Sequence, residues 1–562
     1  MEQSPETPEP QRKERSAGRQ MTVGALVISV FLFAGKTAGY VKDMAIAGYF
    51  SKEVNDVFYA IYNNIVTMFY SKIEKLLRPT FLPQFVKQLA SDEKTAWRLA
   101  SVVFNVQVLG LILVVAVLEV FPAPLLRLLI PNMTADPEML RTAVGLLRIM
   151  APSLLLFSPS VMPELMLHSY KHFTAPAVSD CVMRMVLVAT LFVSVENLWH
   201  PDHPQAVYAA ALGVLVAYPL RFIAQLPALF GKLKNYALSL DFSTPGVRTV
   251  FALMPPVIVG LLFSTARGIA DTVYSDRVGA GVYAALNFAR RVTDAPLQIL
   301  PLAVSFVVYP FLSQWVTEGA KDKLADALVS MTRAMAFLFV PAAVAIMLLS
   351  DVIIAVMFEH GKFGPESTQL AAVALWCYAI GMMAYSVEAS INKWYFALED
   401  TATPNYMGAA AAVLHIIIGY VGVFILGAGE ATLGRQEAGI AAIAMALTIS
   451  KSVKVVILYG LVLRRIGAID WPAVWSFTIR LGVCTGLMGL VMWAILQFAR
   501  EPIMAWTPPM GGKKAQMLAL FAITGGPGAI AFIAAAAALR LEEFSLVWSR
   551  VGSKVMKRFG RR

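Results

Sequence analysis

Long apolar runs, separated by short polar breaks, fill most of this 562-residue chain. A helix needs about 20 apolar residues to cross the hydrocarbon core of a bilayer, because each residue advances it by about 1.5 Å. Segments of this length fall at roughly 22–50, 57–85, 97–128, 142–168, 174–196, 205–230, 246–271, 281–314, 327–357, 367–397, 404–428, 438–463, 472–498 and 515–541. The pattern therefore predicts an all-α integral membrane protein with about 14 transmembrane helices.

The polar breaks alternate in charge along the chain. Loops on the side that holds both termini contain roughly 21 lysines and arginines, and loops on the other side contain roughly 8. Cytoplasmic loops of membrane proteins carry the excess of basic residues. We therefore predict that both termini are cytoplasmic.

Two pairs of breaks are similar in sequence and indicate an internal repeat. FLPQFVKQLASDEK at 81–94 and VYPFLSQWVTEGAKDK at 308–323 each place a proline shortly before a charged loop. SYKHFTAPA at 169–177 and KWYFALEDTATPN at 393–405 each contain aromatic residues, a polar turn, a threonine and a proline that starts the next helix. The members of each pair are six predicted spans apart. Because six is even, the two copies enter the membrane in the same direction, as in transporters whose repeats share an axis along the membrane normal.

The repeat divides the chain into five predicted parts. They are a disordered cytoplasmic tail at 1–20, an N-terminal six-helix bundle at 21–232, a C-terminal six-helix bundle at 245–466, two extra transmembrane helices at 470–542 and a basic cytoplasmic tail at 543–562. The predicted architecture is thus two parallel six-helix repeats plus two C-terminal helices.

Composition excludes several classes of protein. Hydrophobic residues make up 58% of the chain and charged residues 15%, whereas soluble domains carry about 25% charged residues. The net charge of +11 does not indicate nucleic-acid binding, because the basic residues lie mainly in alternate loops and not in one stripe with aromatics. The three cysteines are isolated in apolar segments, and we expect no metal site and no cofactor.

Ionised side chains inside the predicted spans mark the candidate site. Each costs at least about 2.5 to 3.5 kcal/mol at the bilayer centre, so it usually faces a cavity or a partner. They concentrate in the opening helices of each repeat: Lys36, Lys42, Asp43, Asp56, Lys72, Glu74, Lys75 and Arg78, then Arg267, Asp271, Arg290, Arg291 and Asp294. Of these, Arg267 and Asp271 are one turn apart and are expected to neutralise each other.

The excess of basic residues predicts a cationic cavity at the repeat interface. Such a cavity suits a phosphate or pyrophosphate, which arginine binds with two prongs and lysine as a point charge. We expect Lys36, Lys42 and Arg291 to act jointly, although any one of them taken alone has an alternative role as an interfacial or structural residue. Other intramembrane charges are predicted to be structural: Arg148, Glu164, Arg184, Glu388, Lys451 and Lys454.

Four stretches resemble signatures of the MviN/MurJ family of lipid II flippases. They are AGYVKDMAIAGYFSKEVNDVFYA at 38–60, ARRVTDAP at 289–296, GKFGPEST at 361–368 and WYFALEDTATP at 394–404. The resemblance spans the whole membrane region. It implies fourteen helices, two six-helix bundles around a central cationic cavity, a groove lined by the last two helices for a lipid tail, and residence in the bacterial inner membrane.

The resemblance also assigns residues. The family's first-helix arginines fall on Lys36 and Lys42, its following aspartate on Asp43 and its helix-two arginine on Phe69 or Tyr70, where the charge is absent; Lys72 is the candidate replacement. We therefore predict a pyrophosphate site of Lys36, Lys42, Lys72, Arg290 and Arg291, with ion-pair residues Asp43, Asp56, Glu74, Asp271 and Asp294.

The leading hypothesis is a flippase and not an enzyme. It would move lipid II, the undecaprenyl-pyrophosphate-linked peptidoglycan precursor, from the cytoplasmic to the periplasmic leaflet by alternating access for cell-wall synthesis. An ion gradient or the membrane potential would drive it, because the sequence has no nucleotide-binding motif. Three alternatives stay open: an exporter of another polyprenyl-linked oligosaccharide, a cation-coupled drug antiporter and a scaffold that binds precursor without moving it.

Overall fold

The computed structural model describes residues 30–31, 33–197, 206–398, 400, 402–426, 433–505 and 512–544. The predicted tail at 1–20 lies outside these residues, as does the predicted tail at 543–562 from residue 545 onward.

Helices account for most of the described residues, which contain no strand. In chain order the helices are α1 (33–49), α2 (Lys52–Ile61), α3 (Met68–Ser91), α4 (Glu93–Val120), α5 (Pro122–Leu129), α6 (Pro137–Met150), α7 (Leu154–Phe157), α8 (Val161–Ser169), α9 (Thr174–Asn197), α10 (Tyr208–Ile223), α11 (Val247–Val278), α12 (Val282–Thr317), α13 (Lys321–Leu348), α14 (Ser350–Phe358), α15 (Pro365–Ala397), α16 (Ala402–Tyr420), α17 (Leu433–Leu463), α18 (Trp471–Ala505) and α19 (Gly512–Ala538). The predicted all-α membrane fold is confirmed.

Eleven helical stretches in the described residues are long and apolar enough to cross a membrane. The chain is therefore a multi-pass membrane protein. The count of fourteen spans stays a prediction, as do the side of the membrane that holds the termini and the boundaries of the five predicted parts.

Several predicted segments are interrupted helices and not single ones. The segment at 142–168 contains α6, α7 and α8 joined by two short 3₁₀ turns, each with a proline near its start, Pro152 and Pro159. A proline removes a backbone donor and clashes with the preceding turn, which explains the interruptions. Likewise α4 ends at Val120 and α5 starts at Pro122. Between α2 and α3 the chain forms a π-helical turn at Tyr62–Thr67.

The chain divides into two compact units, unit 1 up to Leu261 and unit 2 from Leu262 onward. The core of unit 1 is an apolar cluster that joins α3, α4 and α8, with Phe81, Phe85 and Trp97 almost fully buried. In unit 2, α18 and α19 pack against α13 and α14 through a methionine-rich cluster. Two ion pairs tie these last helices down, Arg500 to Asp351 at 2.5 Å and Lys513 to Glu359.

Matching ion pairs hold the break that follows the fourth predicted span of each unit. In unit 1 the hydroxyl of Tyr170 donates to Glu93 at 2.7 Å, and Glu93 also pairs with Lys232, beyond the sixth predicted span. In unit 2 Asp400 pairs at 2.7 Å with Arg465, which likewise follows the sixth predicted span. In each unit, a carboxylate at or hydrogen-bonded to this break thus pairs with a basic residue that follows the sixth predicted span.

Asp400→Ala is expected to lower the free energy of unfolding by about 1 to 2 kcal/mol, because the carboxylate accepts from the Thr403 amide at 2.9 Å and from Arg465. The Thr403 amide, with help from Arg465, holds the pKa of Asp400 below its usual range. Its stabilisation is therefore complete above pH about 4 and is lost as the pH falls further. Thermal unfolding of wild type and variant should differ at pH 7 and converge in strong acid. A constant difference at all pH values would contradict this role.

Candidate functional site

The first predicted site residues lie between α1 and α2 in unit 1. Lys42 and Asp43 are 4% and 2% exposed, and the Lys42 Nζ lies 2.7 Å from the Asp43 Oδ1. The hydroxyl of Tyr59 donates to the same carboxylate oxygen at 2.8 Å, and the ring of Tyr62 lies 4.5 Å from the Lys42 Nζ. The lysine charge is therefore buried, paired with a carboxylate and faced by an aromatic ring, which stabilises a cation.

Lys36 has different neighbours, although it is on the same helix. It is half-buried and within electrostatic reach of Asp180 and Arg184 on α9. The Arg184 Nε donates to Asp180 at 2.9 Å. The Arg184 guanidinium packs against α1 at Gly39, where a Cβ atom would lie only 3.2 Å from the guanidinium Nη1. Lys36 and Arg184 thus bring two cations and one carboxylate together. The sequence prediction had treated Arg184 as structural.

A second buried cluster in unit 1 centres on Glu164 of α8. This carboxylate accepts from Arg221 at 2.9 Å, from Arg78 at 3.2 Å and from the hydroxyl of Tyr70 at 3.1 Å. The Arg221 guanidinium also lies over the Tyr70 ring, 4.3 Å from its centroid. Sequence analysis missed Arg221 of α10, although its position well inside the predicted span at 205–230 was a signal that could have identified it.

This cluster bears on the charge missing from the second predicted span. The resemblance places an arginine at Phe69 or Tyr70, and we expected Lys72 to replace it. The structure brings the guanidinium of Arg221 onto Tyr70 from another helix. Lys72 is half-buried on the same helix as Tyr70, so the two cations are alternative replacements.

The other acidic residues predicted in unit 1 lie in separate surroundings. Asp56 is fully buried in α2. Glu74 pairs with Arg78 at 2.8 Å, one turn further along α3, where both side chains are partly exposed. A pair of this kind contributes little to stability and is free to exchange partners.

In unit 2, Asp271 is the centre of a four-helix polar cluster. One oxygen lies 2.6 Å from the His415 Nε2 on α16, and the other lies 3.3 Å from the Arg290 guanidinium on α12. Arg290 also donates to the Tyr378 hydroxyl on α15 at 3.2 Å. The expected neutralising pair of Arg267 and Asp271 stays a prediction: Arg267 is within electrostatic reach of Asp271, while Arg290 and His415 contact its two oxygens.

A second cluster in unit 2 holds two lysines on one carboxylate. Glu388 of α15 pairs with Lys451 at 2.9 Å and with Lys454 at 2.7 Å, both on α17. Asp294 of α12 lies within electrostatic reach of Lys451 and of both neighbouring arginines. Arg291 itself is half-buried. The sequence prediction had treated the two lysines as structural, although two mid-span lysines three positions apart share a helix face.

These clusters hold lysines and arginines inside the helices of each unit, paired with carboxylates. The cations in the helices of unit 2 include Arg267, Arg290, Arg291, Lys451 and Lys454, and the carboxylates include Asp271, Asp276, Asp294 and Glu388. A cluster of this kind binds an anion by exchange, since the anion displaces a carboxylate from a cation already held in place.

Unit 2 also contains an apolar cavity of about 360 Å³ next to the first of the two extra helices. Its lining comes from α13, α15, α17 and α18 and includes Phe477, Leu481 and Trp471. The Arg333 guanidinium, which also lines the cavity, lies 4.7 Å from the centroid of Phe477 and pairs with Glu543 at 2.7 Å. The lining is thus mostly apolar and includes one charged side chain.

Comparison with known proteins gives a consistent result. A sequence model of the family described as "Lipid II flippase MurJ" matches residues 46–507. A probable lipid II flippase MurJ from Rhizobium tropici is 29% identical over 404 residues, which cover 70% of this chain and 73% of the relative. Another from Bdellovibrio bacteriovorus is 24% identical over 532 residues, which cover 92% of this chain and 96% of the relative.

Two solved structures share the fold. A lipid II flippase MurJ in an inward closed conformation has a TM-score of 0.71 at 19% identity and covers 94% of this chain and 99% of its own. An inward-facing multidrug resistance MATE family transporter has a TM-score of 0.61 at 12% identity and covers 78% of this chain and 98% of its own. At these identities the likeness concerns the fold alone.

Proposed function

Because the chain belongs to the MurJ family of lipid II flippases, we propose that it moves lipid II, a polyprenyl-pyrophosphate-linked peptidoglycan precursor, from the cytoplasmic to the outer leaflet of a bacterial inner membrane. The observation that carries the proposal is the set of lysines and arginines held by carboxylates inside its membrane helices, among them Lys42 with Asp43 and Arg290 with Asp271. Such charges are costly in a bilayer and persist where they handle a charged substrate. The reaction is translocation, with no covalent step.

The headgroup binds by exchange of ion pairs in unit 1. The pyrophosphate displaces Asp43 from Lys42, and the hydroxyl of Tyr59 keeps the released carboxylate hydrogen-bonded. Lys36 and Arg184 supply further positive charge next to α1. Exchange keeps the lysine paired both before and after binding, so the cost falls on the released carboxylate, where the hydrogen bond from Tyr59 reduces it.

Unit 2 offers cations of its own to an anionic headgroup. Arg291 is the predicted ligand, and Lys451 joins it because Glu388 cannot neutralise both of the lysines that it binds. Arg290 is held by Asp271 and Tyr378, and it acts in the proposal as a partner of the acidic residues and not as a primary ligand.

The polyprenyl tail follows the apolar cavity beside α18. Isoprenoid chains are wholly apolar, so they gain about 25 cal/mol for each Å² that leaves water. The cavity offers aromatic and aliphatic walls and one charged lining residue, Arg333. Net transport draws on an ion gradient or on the membrane potential, which supplies about 2.3 kcal/mol per charge for each 100 mV.

Depletion of the protein is expected to cause lipid II to accumulate, because precursor synthesis continues on the cytoplasmic face while its exit is blocked. Mass spectrometry of extracted polyprenyl lipids before and after depletion measures this. A plasmid-borne copy should reverse the accumulation.

The other outcomes identify the alternatives. Accumulation of a different polyprenyl-linked glycan would assign the chain to that lipid, which the lysines at arginine positions make a real alternative. Export of cationic dyes by the wild-type protein, with no change in any lipid intermediate, would indicate a drug antiporter. Purified protein that binds lipid II in vesicles without moving it would indicate a scaffold.

A further inference from the structure

A histidine and an aspartate form a buried hydrogen-bonded pair in unit 2 that the proposed binding of lipid II does not use. His415 of α16 is fully buried, and Asp271 of α11 is 5% exposed. The His415 Nε2 lies 2.6 Å from the Asp271 Oδ1. Burying two ionisable groups in a membrane helix bundle costs free energy that two apolar side chains would not cost, so such a pair indicates a functional role.

The second nitrogen of His415 indicates what that role is. Nδ1 is buried and has no hydrogen-bond partner among the described residues, although an unpaired buried polar atom costs about 1 to 3 kcal/mol. Among native proteins such atoms are rare and usually mark a site of chemistry or of missing water. The lone Nδ1 is therefore a place where a proton can be gained or lost.

Arg290 makes a change of protonation tolerable. Its guanidinium holds the second oxygen of Asp271 at 3.3 Å, so the carboxylate keeps a cation whether or not the imidazole is charged. The pairs of Lys42 with Asp43 and of Arg221 with Glu164 lack this property, because lysine and arginine stay protonated near neutral pH. Histidine is the side chain that changes its charge between about pH 5 and 8.

The groups around His415 come from four helices. Asp271 faces it directly, and Tyr274 of the same helix lies one turn away. The remaining charged or titratable groups are Arg267 on α11, Arg290 and Asp294 on α12, Tyr378 on α15, and Lys454 on α17, which is paired with Glu388. Asp271 is the nearest of these.

The contact between α11 and α16 lies next to the pair. The hydroxyl of Tyr274 donates to the Ile416 carbonyl at 2.8 Å, and a side chain at Gly419 would come within 2.5 Å of the Tyr274 ring. A π-helical turn follows directly at Val421–Ile425. Since π turns often occur at functional points of helices, a charge change at His415 acts where the packing of α16 is tight and its hydrogen-bond ladder irregular.

We propose that Asp271 and His415 form a proton-binding site, and that one proton bound and released there per cycle couples a pH gradient to lipid translocation. In the empty state the neutral imidazole donates from Nε2 to Asp271. In the loaded state Nδ1 has taken a proton from water on one side of the membrane, and the same nitrogen releases it on the other side. The inference rests on the proposed transport function and names the coupling ion.

The test uses full-length protein in vesicles with fluorescently labelled lipid II. Potassium and valinomycin hold the membrane potential at zero while the pH differs across the membrane. For one proton per lipid, the ratio of labelled lipid between the two leaflets should shift by up to about tenfold per pH unit. The variant His415→Gln keeps an amide donor for Asp271 but cannot titrate, so its ratio should not respond to the gradient.

The control is His168→Gln, a half-buried histidine in unit 1, which should keep the full response. If His415→Gln does not elute as a folded protein, Asp271→Asn replaces it in the test. This variant removes the negative charge that stabilises the imidazolium, so its leaflet ratio should likewise not respond to the gradient. A wild type that flips lipid II with no response to the gradient overturns the coupling and leaves the proposed function standing. A gradient response retained by both variants overturns the site. A wild type that moves no lipid II contradicts the proposed function itself.

Discussion

Glu164→Ala is expected to destabilise the protein by roughly 3 to 5 kcal/mol, because it leaves a buried guanidinium without its main partner. Arg221 is 7% exposed and has Glu164 at 2.9 Å, while its next carboxylate, Asp180, is 3.8 Å away. The same change removes the acceptor of the Tyr70 hydroxyl. Thermal unfolding of the detergent-purified protein measures the loss, and the variant should also be scarce in membranes.

Two control variants separate charge from contact area. Glu164→Gln keeps the shape and an acceptor, so its loss should be smaller than that of Glu164→Ala. Glu74→Ala removes a carboxylate from the partly exposed pair with Arg78 and should cost about 1 kcal/mol or less. Equal effects of Glu164→Ala and Glu74→Ala would show that the cluster around Arg221 is not a stabilising centre.

The helices and their breaks could be predicted because a lipid bilayer offers no hydrogen-bond partners to the backbone. Every amide inside the bilayer must be paired within its own segment, so apolar length alone identifies a helix. The four-residue breaks after Ser169 and after Ala397 follow from their turn residues and prolines. The prolines at Pro152 and Pro159 also indicated interruptions of the helix. These interruptions were missed because the span was assigned from its average hydropathy, which does not respond to a single proline.

The polar clusters could be predicted only in part, because one helix does not reveal which others it meets. Lys42 and Asp43 are adjacent in sequence, so their pairing needed no tertiary information. Asp271 shows the opposite case: the spacing along α11 favoured Arg267, but the fold supplies Arg290 and His415 from 19 and 144 positions away. Local spacing thus identifies charged residues but does not identify their partners.

Lys42→Ala is expected to abolish complementation and to slow lipid II flipping by about tenfold to hundredfold. This factor corresponds to the loss of one charged hydrogen bond to the pyrophosphate. Lys42→Arg should keep most of the activity, because the guanidinium retains the charge and the resemblance to the family predicts an arginine at this position. Flipping of labelled lipid II by purified protein in vesicles, at matched protein density, gives the comparison.

Loss of activity in Lys42→Ala has a second explanation, since it removes the cation that is paired with the buried Asp43. The double variant Lys42→Ala/Asp43→Asn separates the two. It also removes the charge of the carboxylate and so should restore the thermal stability that the single variant loses. If Lys42 binds the pyrophosphate, the double variant stays inactive although it is stable. If flipping returns with stability, the lysine serves only to neutralise Asp43, and the headgroup must be held by other cations.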